Sequence, residues 1–338
     1  MKIKQALYKI FDYCWHEPYQ FDMINALSDH CQFNFCLNNR RQWNHRRRPL
    51  PPGVKFVPYY EHGLYDFAIF HIDQRIYSPD DQQLKIYTEL NDYIDDVPKI
   101  VINHGAPVFP EAFEQLTPSP STEEAESMIA RFVRSIVKNN TMVVHSHQAA
   151  SEKEWGFGLP IVNGLNPNDW WDLPKEPRVF TALPIQGLDT YYNRKCLKAA
   201  GELLYYHYGI LLHCANFNVP SFMSFDDYRN YLGRSLIYFD TSTRTPMNTA
   251  RTEAFLSGCC VVQVEGAHDL GQRALDGYNL IQVPNDPSKI AAVIADLVEN
   301  RYEEAWQIGQ NGKKMAVEVF SKERYRNDWL DLFKSLKS

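Results

Sequence analysis

One carboxylate, two guanidinium groups and a run of hydroxyls crowd into Asp240-Thr-Ser-Thr-Arg-Thr-Pro-Met-Asn-Thr-Ala-Arg-Thr-Glu-Ala-Phe-Leu-Ser-Gly-Cys-Cys-Val-Val-Gln-Val264. The apolar runs at either end predict a strand closing at Asp240, a polar loop, a short helix over Ala250 to Ser257, and a strand over Cys259 to Val264. Thr249 is the N-cap of that helix, so backbone N–H groups around Thr249 and Ala250 have no partner within the helix and attract anions, phosphates especially. Arg244 and Arg251 bring positive charge to the two ends of the loop. Glu253 offers a carboxylate to a pair of vicinal hydroxyls. Phosphate plus ribose points to a nucleotide.

Such a loop needs a sheet to hold it. From residue 179 onward the chain alternates strand Val179–Leu183, helix Arg194–His207, strand Gly209–Cys214, helix Phe225–Leu232, strand Leu236–Asp240, the helix and strand above, strand Asn279–Val283 and helix Pro287–Asn300. The first half carries short apolar runs at Ala6–Phe11, Phe33–Leu37, Phe67–His71, Ile100–Asn103 and Met142–His145, which suit buried parallel strands. Asp22–His30 fits a first crossover helix. Glu123–Lys138 fits another, with Ile129, Phe132, Val133 and Ile136 on one apolar face. The composition turns to Asn, Pro and Gly near Ile161–Asp172, which places a linker at about 165–178. The fold class is therefore α/β, with two doubly wound domains at 1–165 and 166–320 and a last helix in 321–338. Ligands of such sheets lie beyond the carboxyl ends of the strands, where the 241–249 loop falls.

At 338 residues the chain is long enough for two cores. With 44% hydrophobic and 22% charged residues it is neither disordered nor fibrous. A net charge of −6 argues against a protein coated in nucleic acid. The seven cysteines lack C-x-x-C spacing and read as reduced thiols in a cytoplasmic setting. No run approaches the roughly 20 apolar residues of a spanning helix.

The second half resembles the retaining, nucleotide-sugar-dependent glycosyltransferases of the GT-B fold, the family 4-like group. Glu253, Ala254, Phe255, Gly258, Val261 and Val262 match the group's Glu-Ala-hydrophobic-x-x-Gly-x-x-Val-Val stretch. Asp276-Gly-Tyr-Asn-Leu-Ile-Gln-Val-Pro-Asn-Asp-Pro-Ser-Lys-Ile-Ala291 follows its Asp-Gly-x-Asn-Gly pattern, with Leu280 at the second Gly. Gly309-Gln-Asn-Gly-Lys-Lys, Val319-Phe-Ser321 and the closing helix look like the element that crosses back to brace the N-terminal domain. Val162-Asn-Gly-Leu-Asn-Pro167 is similar to the turn that opens the second domain. The resemblance implies two facing Rossmann-like domains and transfer of a hexose from a UDP- or GDP-sugar to a hydroxyl acceptor, with retention and without a metal. It also implies that Glu253 binds ribose and that N–H groups near Thr249 and Ala250 bind the diphosphate. Arg194 or Lys195 would neutralise the leaving group, and His104 in Asn103-His-Gly105 would be a cleft-facing catalytic histidine. The group often carries another glutamate at the sugar; eight residues ahead of Glu253 this chain has Thr245. The usual glycine-rich loop after the first strand is replaced by Asp12-Tyr-Cys-Trp-His-Glu-Pro-Tyr19, which makes His16 and Glu17 candidates for holding the acceptor.

No Asp-x-Asp triplet occurs, and His145-x-His147 without a third ligand is a weak metal signal. The segment from Asn38 to Gly53 is locally basic, with Arg40, Arg41, Arg46, Arg47 and Arg48 interleaved with Trp43 and His45. It suits a nucleic-acid backbone, an anionic surface or a charged glycan, or else is a solvated loop. The acceptor is then a glycan, a lipid-linked glycan or a hydroxymethylated DNA base. A non-catalytic nucleotide- or glycan-binding relative is the alternative. A dehydrogenase lacks its Gly-x-Gly-x-x-Gly, and an epimerase lacks paired carboxylates at the sugar.

Overall fold

The structure is a computed structural model that describes residues 7–37, 42–77, 82–107, 122–148, 150–183, 192–215, 224–243, 249–266 and 270–337. It divides into two units, Met1–Gly164 with Lys322–Ser338, and Leu165–Ser321.

The first unit is built on a parallel sheet of β1 (Tyr8–Tyr13), β2 (Cys31–Cys36), β3 (Lys55–Val57), β4 (Phe67–Ile72), β5 (Lys99–Asn103), β6 (Met142–His145) and β7 (Leu159–Pro160), in the order β3-β2-β1-β4-β5-β6-β7. Every residue of β4 is buried, as a strand covered on both faces requires. The strand order reverses between β1 and β4, which makes their carboxyl ends the topological switch point. Helices α1 (Glu17–Leu27), α2 (Gln83–Tyr93) and α3 (Thr122–Val137) connect the strands. Ile129, Val133 and Val137 of α3 are buried, with Phe132 and Ile136 packed beside them, close to the expected face. Fully buried Phe11, Phe33, Phe35, Phe67 and Phe70 account for much of the aromatic content as core.

Three details differ from the sequence reading. Strand β1 runs two residues further than expected, to Tyr13, and so carries Asp12 at its end. Helix α1 starts at Glu17, not Asp22, because His16 caps it through Nδ1, 3.2 Å from the Tyr19 N–H, with a proline in its first turn. Histidine lies outside the usual set of caps, which hid that start. Strands β3 and β7 and helix α2 also went unread: β3 is a three-residue strand, and α2 buries only Gln83 and Tyr87 and has no side-chain cap.

The second unit holds β8 (Glu176–Thr181), α4 (Arg194–Tyr208), β9 (Leu212–Cys214), α5 (Phe225–Arg234), β10 (Ser235–Asp240), α6 (Thr249–Leu256), β11 (Cys260–Val264), β12 (Ile281–Val283), α7 (Pro287–Glu299) and α8 (Tyr302–Val319). Its parallel sheet has the order β12-β11-β10-β8-β9, with the switch between β8 and β10. The expected linker at 165–178 overlaps β8, which begins at Glu176. Leu165 donates its N–H to the Phe320 carbonyl at 2.9 Å, so the unit's first and last residues lie side by side.

From there α9 (Lys322–Lys337) returns to the first unit. Its Phe333 stacks on Phe67 at 4.6 Å, Tyr325 meets Tyr19 of α1 at 6.4 Å, and Arg324 donates to the Val162 carbonyl at 2.6 Å.

Candidate functional site

In the first unit, three successive strand ends bring side chains together at the switch point. Asp12 lies next to last in β1, His71 next to last in β4, and His104 immediately after β5. Oδ1 of Asp12 lies 2.9 Å from Nε2 of His71, and Nδ1 of His71 lies 2.8 Å from Nε2 of His104. Asp12 and His71 are fully buried. The His104 N–H donates to the Ile72 carbonyl at 2.8 Å, and Trp155 Nε1 donates to the Gly105 carbonyl at 2.8 Å, which fixes the short turn carrying the imidazole. The Tyr13 hydroxyl bridges the backbone N–H and C=O of His71, both at 2.9 Å. Burial pushes that phenol well above its ordinary range, so it serves as a neutral brace.

Gln20 of α1 closes the arrangement from above. Its Nε2 donates to Asp12 Oδ2 at 3.1 Å and to the Tyr13 carbonyl at 2.8 Å, while its Oε1 accepts from the N–H groups of Trp15 and His16. Of the residues singled out from sequence here, His16 and His104 come together, with rings stacked 5.2 Å apart, and Tyr19 meets the same His104 ring edge-on at 4.8 Å. Glu17 is buried and lies 3.9 Å from Arg47. Asp12, His71 and Gln20 were missed as functional candidates. Their signal was present as a polar residue at the end of an apolar run in β1 and in β4.

In the second unit the corresponding place is the exit of β10. Glu253 sits on α6, is 2% exposed, and accepts from the Tyr228 hydroxyl of α5 at 2.8 Å through Oε2. Thr249, expected as the cap, is the first residue of α6. Ala250 follows it, half-buried in the first turn. Arg244 and Thr245 also lie outside the described residues. Arg251 is fully buried and donates to Gln263 Oε1 of β11 at 2.7 Å, and Gln263 in turn donates to the Ser242 carbonyl at 2.8 Å. Arg251 thus ties α6 to the outgoing end of β10 from within. Thr241 and Ser242 are buried there too, with Thr241 Oγ1 donating to the Tyr192 carbonyl at 2.7 Å. Arg194 and Lys195 open α4, half-buried and exposed respectively, behind a left-handed Asn193.

The remaining sequence candidates separate from these groups. His145 is buried against Trp155 and Phe157, and the His147 Nδ1 accepts from the Ala150 N–H at 3.2 Å, which gives both structural surroundings. The one three-residue group with metal-ligand spacing among the described residues is exposed His62 with Asp95 and Asp96. Of the basic segment, Arg40 and Arg41 lie outside the described residues. Arg48 is buried with its carbonyl accepting from Trp43 Nε1 at 2.7 Å, so Arg46 to Arg48 do not form one solvated stripe. All seven cysteines are free and buried; burial pushes Cys31 up to about 12 and Cys196, Cys214 and Cys259 up to about 11. No described helix is long and apolar enough to cross a membrane.

No family model matches the sequence, and no curated protein matches it. Solved structures do resemble the fold. Anabaena HepE in complex with UDP and glucose has a TM-score of 0.67 at 13% identity, covering 98% of this chain and 100% of its own. A glycosyltransferase from Rickettsia africae has a TM-score of 0.62 at 10% identity, with 99% and 100% covered. Sucrose-phosphate synthase from Thermosynechococcus elongatus has a TM-score of 0.61 at 12% identity, with 97% and 99% covered. Two parallel, doubly wound sheets with a last helix returning to the first unit give this chain the GT-B fold.

Proposed function

We propose that this chain is a glycosyltransferase that takes a hexose from a UDP- or GDP-sugar and delivers it to a hydroxyl acceptor. The observation that carries the reading is Glu253. A nearly buried carboxylate on the helix after the switch-point strand, held by a tyrosine hydroxyl, is suited to the two hydroxyls of a ribose. The fold likeness to HepE, whose structure holds UDP and glucose, supports the same assignment. In this reading the first N–H groups of α6, at Thr249 and Ala250, face the diphosphate, and Arg194 or Lys195 at the start of α4 neutralises it as it leaves. Arg251 acts as an internal brace of that loop. Transfer proceeds without a divalent cation, since helix N-terminus and cations together supply the charge stabilisation.

A thermal-shift screen against UDP, GDP, ADP and TDP and their sugars tests the donor, because a ligand of the native state raises its stability by mass action. Stabilisation by a uridine or guanosine diphosphate, lost in Glu253→Ala, is the expected result. No shift with any nucleotide overturns the reading, and loss of transfer on adding a chelator overturns its metal-free part. The non-catalytic alternative is separated by slow donor hydrolysis, which a pure binding protein lacks. The Asp12–His71–His104 chain, fully buried at Asp12 and His71, favours the enzyme.

A further inference from the structure

One histidine and two adjacent aspartates meet at the end of the first sheet away from Asp12, His71 and His104. His62 lies in the connection from β3 to β4, and Asp95 and Asp96 lie between α2 and β5. Asp96 stands just ahead of β5, at the amino end of the parallel sheet, and the Asp66 N–H ties the β3–β4 connection to the same end by donating to the Lys9 carbonyl at 2.8 Å. Nδ1 of His62 is 3.2 Å from Oδ1 of Asp96 and 3.6 Å from Oδ1 of Asp95, and the three atoms all fall within 4.8 Å of one another. Donors held about 2.0–2.2 Å from a tetrahedral Zn²⁺ stand roughly 3.3–3.6 Å apart. The group already has that spacing.

Two of the three donors are oriented from behind. Oδ1 of Asp96 accepts from the Tyr60 hydroxyl at 2.5 Å and Oδ2 from the Gly63 N–H at 2.6 Å, and Tyr60 is itself buried, so this carboxylate is pinned to the core. The His62 ring meets Tyr60 at 5.3 Å and Tyr93 at 5.1 Å, which sets the direction of its Nδ1. Outer partners of this kind fix the geometry of metal ligands. Asp95, the most exposed of the three, is free to close on an ion from solvent. Three convergent lone pairs need a cation among them, either a proton on Nδ1 or a metal ion. Among the described residues no lysine or arginine forms an ion pair with either aspartate.

We propose that His62, Asp95 and Asp96 bind one Zn²⁺, with Tyr60 positioning Asp96, and that the ion clips the β3–β4 connection to the turn ahead of β5. An imidazole in the donor set turns the choice away from Ca²⁺ and Mg²⁺, which take oxygen ligands, and imidazole with carboxylates suits Zn²⁺. Three protein donors leave the fourth position to water. The ion is structural, since it sits at the amino end of the sheet and not at the carboxyl ends where ligands of such sheets bind. Its two anchoring segments are 33 residues apart between Gly63 and Asp96, and an unfolded chain does not hold the donors together, so binding favours the native state. This site stands independently of the function proposed above.

The test titrates zinc chloride calorimetrically into the full chain, free of any affinity tag and stripped of metal by a chelator that is then dialysed away, with melting curves in parallel. Wild type should take up one zinc per chain, and its Tm should rise with zinc concentration. Tyr60→Phe keeps the buried ring and loses the hydrogen bond to Asp96, which should weaken zinc affinity roughly 10-fold, the low end for loss of an outer partner. Asp95→Asn and His62→Gln should each weaken it further and abolish the zinc-dependent rise in Tm. Asp95 is exposed and its pairing with His62 contributes little, so Asp95→Asn without zinc should melt close to the wild type, which separates loss of a ligand from loss of the fold. Magnesium chloride should give neither heat nor shift. Wild type that takes up no zinc overturns the proposal. Equal zinc affinity in wild type and Asp95→Asn also overturns it, and marks other histidines of the chain as the ligands.

Discussion

The Tyr228 hydroxyl donates to Oε2 of Glu253 at 2.8 Å, joining α5 to α6 beside the end of β10. A nearly buried carboxylate keeps one orientation only if a donor holds it, and hydrogen bonds to charged groups contribute about 1.5–3 kcal/mol. Tyr228→Phe removes the donor and keeps the ring, which packs edge-on against Trp170. Its expected effect is a fall in nucleoside diphosphate affinity of roughly 3–10-fold, about 1 kcal/mol, by calorimetric titration. Glu253→Ala should lose more. Unchanged affinity in both variants would remove Glu253 from the nucleotide site.

What was legible from sequence follows from how each signal is encoded. The second unit was read almost strand by strand because its strands are continuous apolar runs and two of its helix starts carry ordinary caps, Ser224 before Phe225 and Asp286 before Pro287. Glu253 stood out as a candidate because one short segment holds it beside the loop. Asp12, His71 and His104 escaped as a group because they lie on three strand ends separated by long crossovers, and only the sheet order brings them together. The inward course of Arg251, fully buried and bonded to Gln263, was not legible. An eight-residue helix buried over most of its length shows no polar face from which the inward direction can be read.

Gly258 ends α6 at a φ of +73°, and its N–H accepts no substitute geometry: it donates to the Phe255 carbonyl while Cys259 donates to Ala254, a Schellman closure. A Cβ at this position would stand 2.5 Å from Oδ1 of Asp172. Asp172 is in turn held by Lys313 at 2.9 Å and lies 3.4 Å from Lys175, whose cations and hydrogen bonds keep its carboxyl below the usual carboxylate range against the opposing effect of burial. Gly258→Ala therefore carries both a left-handed alanine and a displaced ion pair. Urea unfolding should show a loss of roughly 2–4 kcal/mol, from about 1 for the backbone and 1–3 for overpacking. A loss under 1 kcal/mol would mean that the turn relaxes freely.

Trp329 is the largest fully buried side chain among the described residues and anchors α9, with Phe333 at 5.5 Å and Tyr325 at 6.4 Å. Tyr325 continues to Tyr19 and so to the ring of His104. Trp329→Ala is expected to cost about 3–5 kcal/mol in urea unfolding, as for other buried large-to-alanine changes. Trp329→Phe retains most of the buried area and should cost less than half as much. Equal losses in the two variants would mean that the indole makes a specific bond, not a packing contribution.

His145 gives the stability of the protein a pH dependence of known sign. Its ring is fully buried at the end of β6, stacked near Trp155 at 6.1 Å, with Gly158 so placed that an added Cβ would come within 2.6 Å of it. Burial, with His147 nearby, lowers its pKa from 6.5 to about 4. Above pH 6.5 neither the native nor the unfolded chain is protonated there, so the full stability is present. Between pH 6.5 and 4 the unfolded chain binds a proton that the native state refuses, and stability falls as pH falls. The slope approaches about 1.4 kcal/mol per pH unit and the total is ~3 kcal/mol. In His145→Gln this part of the slope should vanish while the carboxylate contribution near pH 4 remains. Urea titrations at pH 7, 6, 5 and 4.5 read the difference, and parallel profiles for the two proteins would show that His145 is protonated in the native state over that range.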